Sequence, residues 1–461
     1  MRPKLLVRAS LAGPLRLLCT LACAIAFSCA AGKPTPTQQN EVATLVRDAQ
    51  ADLADGHLPE AQKGFEGALA REPGNLAALR GRVETSRRLG LLSALATQAE
   101  SLARDRPEWA PAHFQLGLVR FAQGDGAAAR VELARAVELA PNEADLHYRL
   151  GIVLFDSEKF ADAKGPLSRA VELAPRVVRY RTPLATCLDR LGDHKGAVNV
   201  LREIPRLSPT ADEAALAQKA SRVITDPFRG VPPAARPELE TGLALLLRDA
   251  PGNATPILEG LLQKFPDLGA AHALLGLAAQ RLDESGRAVS ELTRASELSP
   301  DAPQPYAYLG ELYAGKDRPE LAEKAWLQAL DRDPLDVATL RKLGQLRLDK
   351  LNNATGAIDA LSQAAALQPA DDALQLLLAR TELAGGQAVN GRARLERLAD
   401  KHGDDAEILL RLALALFDER KDAPPARKVE LGKRVQDLTD KVLSLQPDNT
   451  TASRLRDAVK G

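Results

Sequence analysis

Residues 110–141 read APAHFQLGLVRFAQGDGAAARVELARAVELAP, and residues 144–175 read ADLHYRLGIVLFDSEKFADAKGPLSRAVELAP. Leu116-Gly117, Ala129, Ala136 and Pro141 in the first copy are answered by Leu150-Gly151, Ala163, Ala170 and Pro175 in the second, always 34 residues on. A fixed period of this length is the mark of a chain made of stacked supersecondary units, each packing only on its neighbours. A chain of 461 residues then needs no single core.

Outward from this pair the rhythm continues. Pro73, Pro107, Pro141, Pro175 and Pro209 are 34 residues apart, and a proline just past a helix end stops the helix because it lacks the N–H donor. Between them Gly56, Gly90, Gly124 and Gly192 fit the left-handed residue that ends a first helix, with Asp125 and Asp193 placed to cap a second. Within 110–122, Gly117 removes a side chain from the face shared with the second helix, and Ala129 and Ala136 answer it from the other side. Aromatic residues make up only 3% of the chain, and Ala and Leu dominate, as suits close-packed helices rather than a sheet.

The period and its recurring small and apolar positions resemble the tetratricopeptide repeat. That resemblance implies an all-α, right-handed superhelical solenoid of about eleven helix-turn-helix units and a non-enzymatic role in binding proteins or peptides along its concave side. Five units are expected over 42–211. Over 212–237 the rhythm breaks: a helix is followed by TDPFRGVPPAARP with its four prolines, read either as a hinge between two modules or as a loop bulging from one superhelix. Six more units follow over 238–447, with Gly242, Gly276, Gly310 and Gly344 again 34 apart, and the last of them degenerate: Pro369 arrives one residue late. Residues 448–461 are expected as a capping helix.

The amino terminus has the form of an export signal: basic residues to Arg16, an apolar run to Ser28, then small residues. That run is too short for the ~20 residues of a membrane span. The motif Ala26-Phe27-Ser28-Cys29 resembles a bacterial lipobox, which implies acylation of Cys29, although Ala26 and Phe27 depart from the usual residues. The expected layout is a signal over 1–28 and a flexible tether over 29–41, giving an outer-membrane lipoprotein facing the periplasm or, without the lipid, a soluble periplasmic protein. Lys plus Arg and Asp plus Glu number 61 each; the signal holds four bases and no acid, so its removal leaves 57 against 61 and a charge of −4. Nothing in that balance suggests a nucleic-acid partner.

Chemistry is sparse. No His-Glu-x-x-His or Cys-x-x-Cys spacing occurs, so neither a metal nor another cofactor is expected. GELYAGK (310–316) has phosphate-loop spacing but lacks the following Ser or Thr and falls within a repeat's first helix. His113, His147 and His272 share one repeat position and are read as packing residues. Cys187 near His194 and Asp189 is the one catalytic alternative.

Binding is where single residues become informative. Phe114, Leu118 and Phe121, then Tyr148, Ile152 and Phe155, fall at i, i+4 and i+7 on consecutive first helices. In the family that face lines the groove, which the resemblance makes a partner site, flanked by Arg80, Arg87 and Arg88 before it and Arg179 and Arg190 after it. An apolar floor between basic shoulders suits an amphipathic peptide with acidic flanks; the alternative is that so wide an apolar face is simply buried. The positions where relatives that dock chaperone tails carry a carboxylate clamp hold Val46, Gln50, Gly81, Pro111 and Gln115, so that ligand is not expected at the first three units. The envelope process served, an exopolysaccharide or pilus export complex, is implied only by likeness to lipoproteins of this architecture.

Overall fold

The computed structural model describes residues 36–460; the expected signal, Cys29 and most of the tether lie outside the described residues. Among the described residues there are 24 α-helices and no strand, and the chain divides into two compact units, one up to Ala174 and one from Pro175 onward.

The first unit contains four helix pairs: α1 (Pro36–Asp55) with α2 (Leu58–Arg71), α3 (Leu76–Arg88) with α4 (Leu92–Asp105), α5 (Ala110–Ala122) with α6 (Gly126–Leu139), and α7 (Ala144–Asp156) with α8 (Phe160–Leu173). The second opens with α9 (Arg181–Arg190), α10 (His194–Arg202) and an unpaired α11 (Ala211–Ile224). Then come α12 (Arg236–Leu247) with α13 (Pro251–Lys264), α14 (Gly269–Arg281) with α15 (Ser285–Leu298), and α16 (Gln304–Gly315) with α17 (Pro319–Arg332). The unit ends with α18 (Val337–Asp349) and α19 (Ala354–Leu367), α20 (Asp372–Ala384) and α21 (Ala388–Lys401), α22 (Ala406–Asp422) and α23 (Pro425–Leu445), and the single helix α24 (Thr450–Lys460). Five pairs precede the unpaired helix and six follow it, eleven in all. Gly310, within the phosphate-loop-like stretch, is helical.

The repeat positions have direct packing reasons. A Cβ added at Gly117 would lie 2.7 Å from Leu133, at Gly151 2.7 Å from Leu167, at Gly242 2.7 Å from Leu258 and at Gly276 2.6 Å from Leu292. Each of these leucines is fully buried. The first helix supplies a hollow and the second fills it, so close-packed density is reached with few residue types. At Gly310 the filler is Trp326, 4% exposed.

The turn between paired helices takes a left-handed residue in ten of the eleven pairs, glycine at 56, 90, 124, 192 and 386 and Glu158, Asp249, Asp283, Asp317 and Asn352 in five others; the turn between α22 and α23, Ala423-Pro424, has none. Asp and Asn tolerate that conformation; Glu pays more for it. The residue that delays Pro369 lies in the turn between α18 and α19, which is one longer than that between α16 and α17.

A second recurring bond joins one repeat to the next. Six residues after the terminating proline stands a donor that reaches back to the proline carbonyl: His113 to Pro107 at 2.9 Å, His147 to Pro141 at 2.8 Å, Arg181 to Pro175 at 2.7 Å, His272 to Pro266 at 2.9 Å, and Gln375 to Pro369 at 3.3 Å. His113 and His272 also hold Glu132 and Glu291 through Nδ1, at 2.7 Å each. Each of these histidines thus links both helices of its own pair to the loop that follows the preceding pair.

Two expectations about segments need correcting. Of the segment read as tether, residues 36–41 form the start of α1, which Val42 and Val46 pin into the core; proline is favourable at a helix start. The stretch 212–237, read as a helix followed by a hinge or a bulging loop, opens with that helix, and the compact units part elsewhere, after Ala174. Helix α11 is docked inside the second unit: Gln218 Nε2 donates to the Leu367 carbonyl at 3.0 Å, and Ser221 Oγ donates to Asp333 Oδ1 at 2.7 Å. The fifth helix pair therefore belongs to the second compact unit rather than to the first module.

Candidate partner-binding groove

Helices α5 and α7 touch one another, while each packs mainly on its own second helix. The apolar trios divide between core and surface. Phe114 is completely buried and Leu118 is 7% exposed, so both are packing residues rather than groove lining. Phe121, Tyr148, Ile152 and Phe155 remain half-buried. Phe155 meets Phe160 edge to face with ring centroids 5.2 Å apart, and the Arg149 guanidinium lies 5.2 Å from the Tyr148 ring. The burial of Phe114 has a topological cause: α3 and α7 are tied together by Arg80 Nη1, 3.2 Å from Asp145 Oδ2, a bond between the second and fourth pairs that brackets α5.

The basic shoulder is largely spent on internal bonds. Arg80 is taken by Asp145, while Arg87 and Arg88 converge on Glu84 at 2.8 and 2.9 Å, Arg88 also donating to the Leu53 carbonyl at 3.1 Å. The hydrogen bond from Arg87, above all, holds Glu84 below the usual carboxylate range against the opposing effect of its partial burial. These arginines offer a partner less free positive charge than their number suggests. Arg179 and Arg190 lie in the second unit, where the Arg179 guanidinium sits 5.0 Å from the Tyr180 ring. Of the expected apolar residues, Phe121 on α5 and Tyr148, Ile152 and Phe155 on α7 keep partial exposure.

The second unit holds a cleft that sequence reasoning missed, of about 950 Å³, lined by α20, α21 and α22 with Leu348 of α18, the turn at Ala423-Pro424 and Arg427 of α23. Leu348, Leu383 and Leu414 supply apolar walls and Arg380 and Arg411 lie at its edge, with Arg392 bonded to Glu419 nearby. Leu348, Leu383 and Phe417 occupy the repeat position of Phe121 and Phe155, and all three are half-buried. The signal was in the sequence, but a search for aromatic pairs passes over leucines.

Cys187 is fully buried. His194 Nδ1 lies 2.5 Å from Asp189 Oδ1, and Arg229 Nη1 donates to the same oxygen at 2.6 Å, which makes the 5%-exposed Asp189 the centre of an ionic cluster. A carboxylate shared in this way anchors loops. Among the described residues, no group of three or more His, Cys, Asp or Glu side chains is arranged to hold a metal ion, and no helix is long and apolar enough to cross a membrane.

Residues 148–212, 272–337 and 308–372 match the family model for the tetratricopeptide repeat. No curated protein matches the chain in sequence. Among solved structures, the chain is similar to YrrB, described as a TPR protein with an unusual peptide-binding site: 16% identity, TM-score 0.38, over 43% of this chain and 97% of that one. It is similar to Pseudomonas aeruginosa pilF at 19% identity and TM-score 0.38, over 49% of this chain and 97% of that one. The Cut9-Hcn1 hetero-tetramer of the APC/C matches at 13% identity and TM-score 0.35, over 90% of this chain and 95% of that one.

Proposed function

We propose that this tetratricopeptide-repeat protein is a non-enzymatic scaffold that holds a protein or peptide partner against the first-helix faces of its repeats. Repeats of this kind generally mediate protein–protein interaction. One observation supports the placement: a single repeat position carries a half-buried Phe or Leu at Phe121, Phe155, Leu348, Leu383 and Phe417, although the neighbouring core is already filled. Apolar side chains left partly exposed on consecutive first helices of one unit mark an interaction site.

The cellular setting belongs to the same proposal. The amino-terminal sequence supports export and a lipid on Cys29, and thereby an outer-membrane scaffold facing the periplasm within an exopolysaccharide or pilus export complex. The soluble periplasmic reading draws on Ala26 and Phe27, which depart from the lipobox pattern.

The test is in-cell photo-crosslinking from a probe at Ile152, in cells fed a labelled fatty acid. A discrete adduct is expected that Phe121→Glu with Phe155→Glu abolishes while helicity is retained, together with label that vanishes in Cys29→Ser. An undiminished adduct removes the groove, and absence of label in the wild type removes the anchor.

A further inference from the structure

The segment that interrupts the repeats, Thr225-Asp226-Pro227-Phe228-Arg229-Gly230-Val231, is folded as a short peptide against the first helices of the second unit. Its backbone is turned upon itself: Asp226 Oδ1 accepts from the Phe228 N–H at 3.0 Å, Arg229 N donates to Asp226 O at 3.1 Å, and Val231 N donates to Phe228 O at 3.2 Å. This is an Asx-type turn, in which the Asp side chain accepts from the backbone N–H two residues on. Side chains on the repeats hold its ends. Gln304 Nε2 of α16 donates to the Thr225 carbonyl at 3.2 Å, and Arg229 reaches Asp189 of α9 at 2.6 Å. Between these anchors Phe228 packs on the apolar cluster that includes Leu239, Leu246, Leu274 and Leu275. Pro227, Arg229 and Gly230 stay exposed.

The seat is not filled. Beside Phe228 a cavity of about 120 Å³ remains, walled by Leu243 of α12, Ala273 and Leu274 of α14, and Tyr308 of α16. Gln304 also lines it, and its Oε1 is buried with no hydrogen-bond partner. A buried acceptor without a donor costs free energy, and a void beside a ring forfeits dispersion contacts. A larger aromatic body carrying an N–H donor answers both deficits.

We propose that residues 225–231 are a tethered ligand occupying a peptide-binding groove on α12, α14 and α16. The partner of that groove is a peptide of the same chemistry, an acidic residue and proline followed by an aromatic, with an indole preferred over a phenyl ring. This groove is separate from the Phe121–Phe155 face and does not rest on that reading. Because the tether keeps the internal segment at high effective concentration, an external peptide competes poorly until the segment is weakened or displaced.

The probes are fluorescein-labelled TDPFRGV and TDPWRGV peptides, titrated by anisotropy into the full chain, into Phe228→Ala, and into a chain whose residues 225–231 are replaced by Gly and Ser. Circular dichroism verifies that each variant keeps its helices. Both peptides should bind each folded variant at least tenfold more tightly than wild type, and TDPWRGV several-fold more tightly than TDPFRGV. Peptide affinities for the two variants that equal those of wild type overturn the tethered-ligand assignment, and equal affinity for the two peptides overturns the assignment of the cavity. If Phe228→Ala does not fold, the Gly-Ser chain decides alone. If neither folds, amide exchange in wild type decides: protection at 228–231 equal to that of α12 overturns displaceability, and protection far below it supports it.

Discussion

The hollow-and-filler pairing of the two helices can be tested by swapping its halves. In the third pair the hollow is Gly117 and the filler Leu133, whose Cγ would stand 2.7 Å and Cδ2 3.0 Å from an added Cβ, with the Ala129 carbonyl oxygen at 3.3 Å. Gly117→Val therefore overpacks the contact, costing about 1–3 kcal/mol, less a few tenths recovered because Val is the better helix former. Leu133, fully buried, leaves a cavity when cut to Ala, at about 2–5 kcal/mol. If the two sites were independent, the double variant would lose about 3 kcal/mol at the least. Valine, however, adds as many side-chain carbons at 117 as Leu133→Ala removes. A volume-conserving exchange costs less than about 1.5 kcal/mol, so a coupling of at least ~1.5 kcal/mol in favour of the double variant is expected. The same two repeat positions already hold Val83 and Ala99, both buried, in the second pair. The chain has two tryptophans, Trp109 and Trp326. With Trp326→Phe as background, urea unfolding followed by the fluorescence of Trp109, the residue preceding α5, reports locally on this pair. That choice matters because a repeat array need not unfold in one step. Losses that simply add would refute the pairing.

Two further perturbations follow from particular residues. Burial, the largest cause, raises the Asp333 carboxyl above its ordinary value despite hydrogen bonds from Ser221, Leu335 and Thr225. The folded chain thus binds that proton more tightly than the unfolded chain, and stability should fall as pH rises from about 4, the unfolded value, through the higher folded one. Asp333→Asn keeps an acceptor without the charge; urea midpoints taken from pH 4 to 7 should show it gaining on the wild type across that window, and parallel curves would contradict this. At Glu158 the backbone is left-handed at φ 57°, where the equivalent turns in neighbouring pairs carry glycine at 124 and 192. Glu158→Gly should raise stability by roughly 0.5–1 kcal/mol in thermal unfolding, since strain relief exceeds the added freedom of the unfolded chain; a loss would mean that the Glu158 side chain makes a contact worth more than the strain.

Four of the six apolar candidates keep partial exposure, and the burial of the other two has a definite cause. A helical wheel places Phe114 and Phe121 on the same face, yet one is fully buried and the other half-buried. What separates them is the neighbouring first helix and the Arg80–Asp145 bridge, which joins residues 65 apart. The basic shoulder was visible as composition, but its neutralisation by Glu84 and Asp145 depends on side-chain reach. The line Leu348, Leu383 and Phe417 was open to reading by register, and only weighting aromatics above leucine hid it.

By itself, the sequence determined the repeating unit. The period of 34, the prolines that end second helices, and the small residues opposite large ones all act within one helix pair or between adjacent pairs, so local spacing suffices to fix them. Tertiary structure alone decided what happens where the period fails. That α11 docks through Gln218 on Leu367 and Ser221 on Asp333 is a matter of partners 149 and 112 residues distant, and that Gln304 holds the Thr225 carbonyl is one of partners 79 residues apart. No periodicity encodes such partners: a contact between non-adjacent elements exists only once the intervening repeats have set the distance between them.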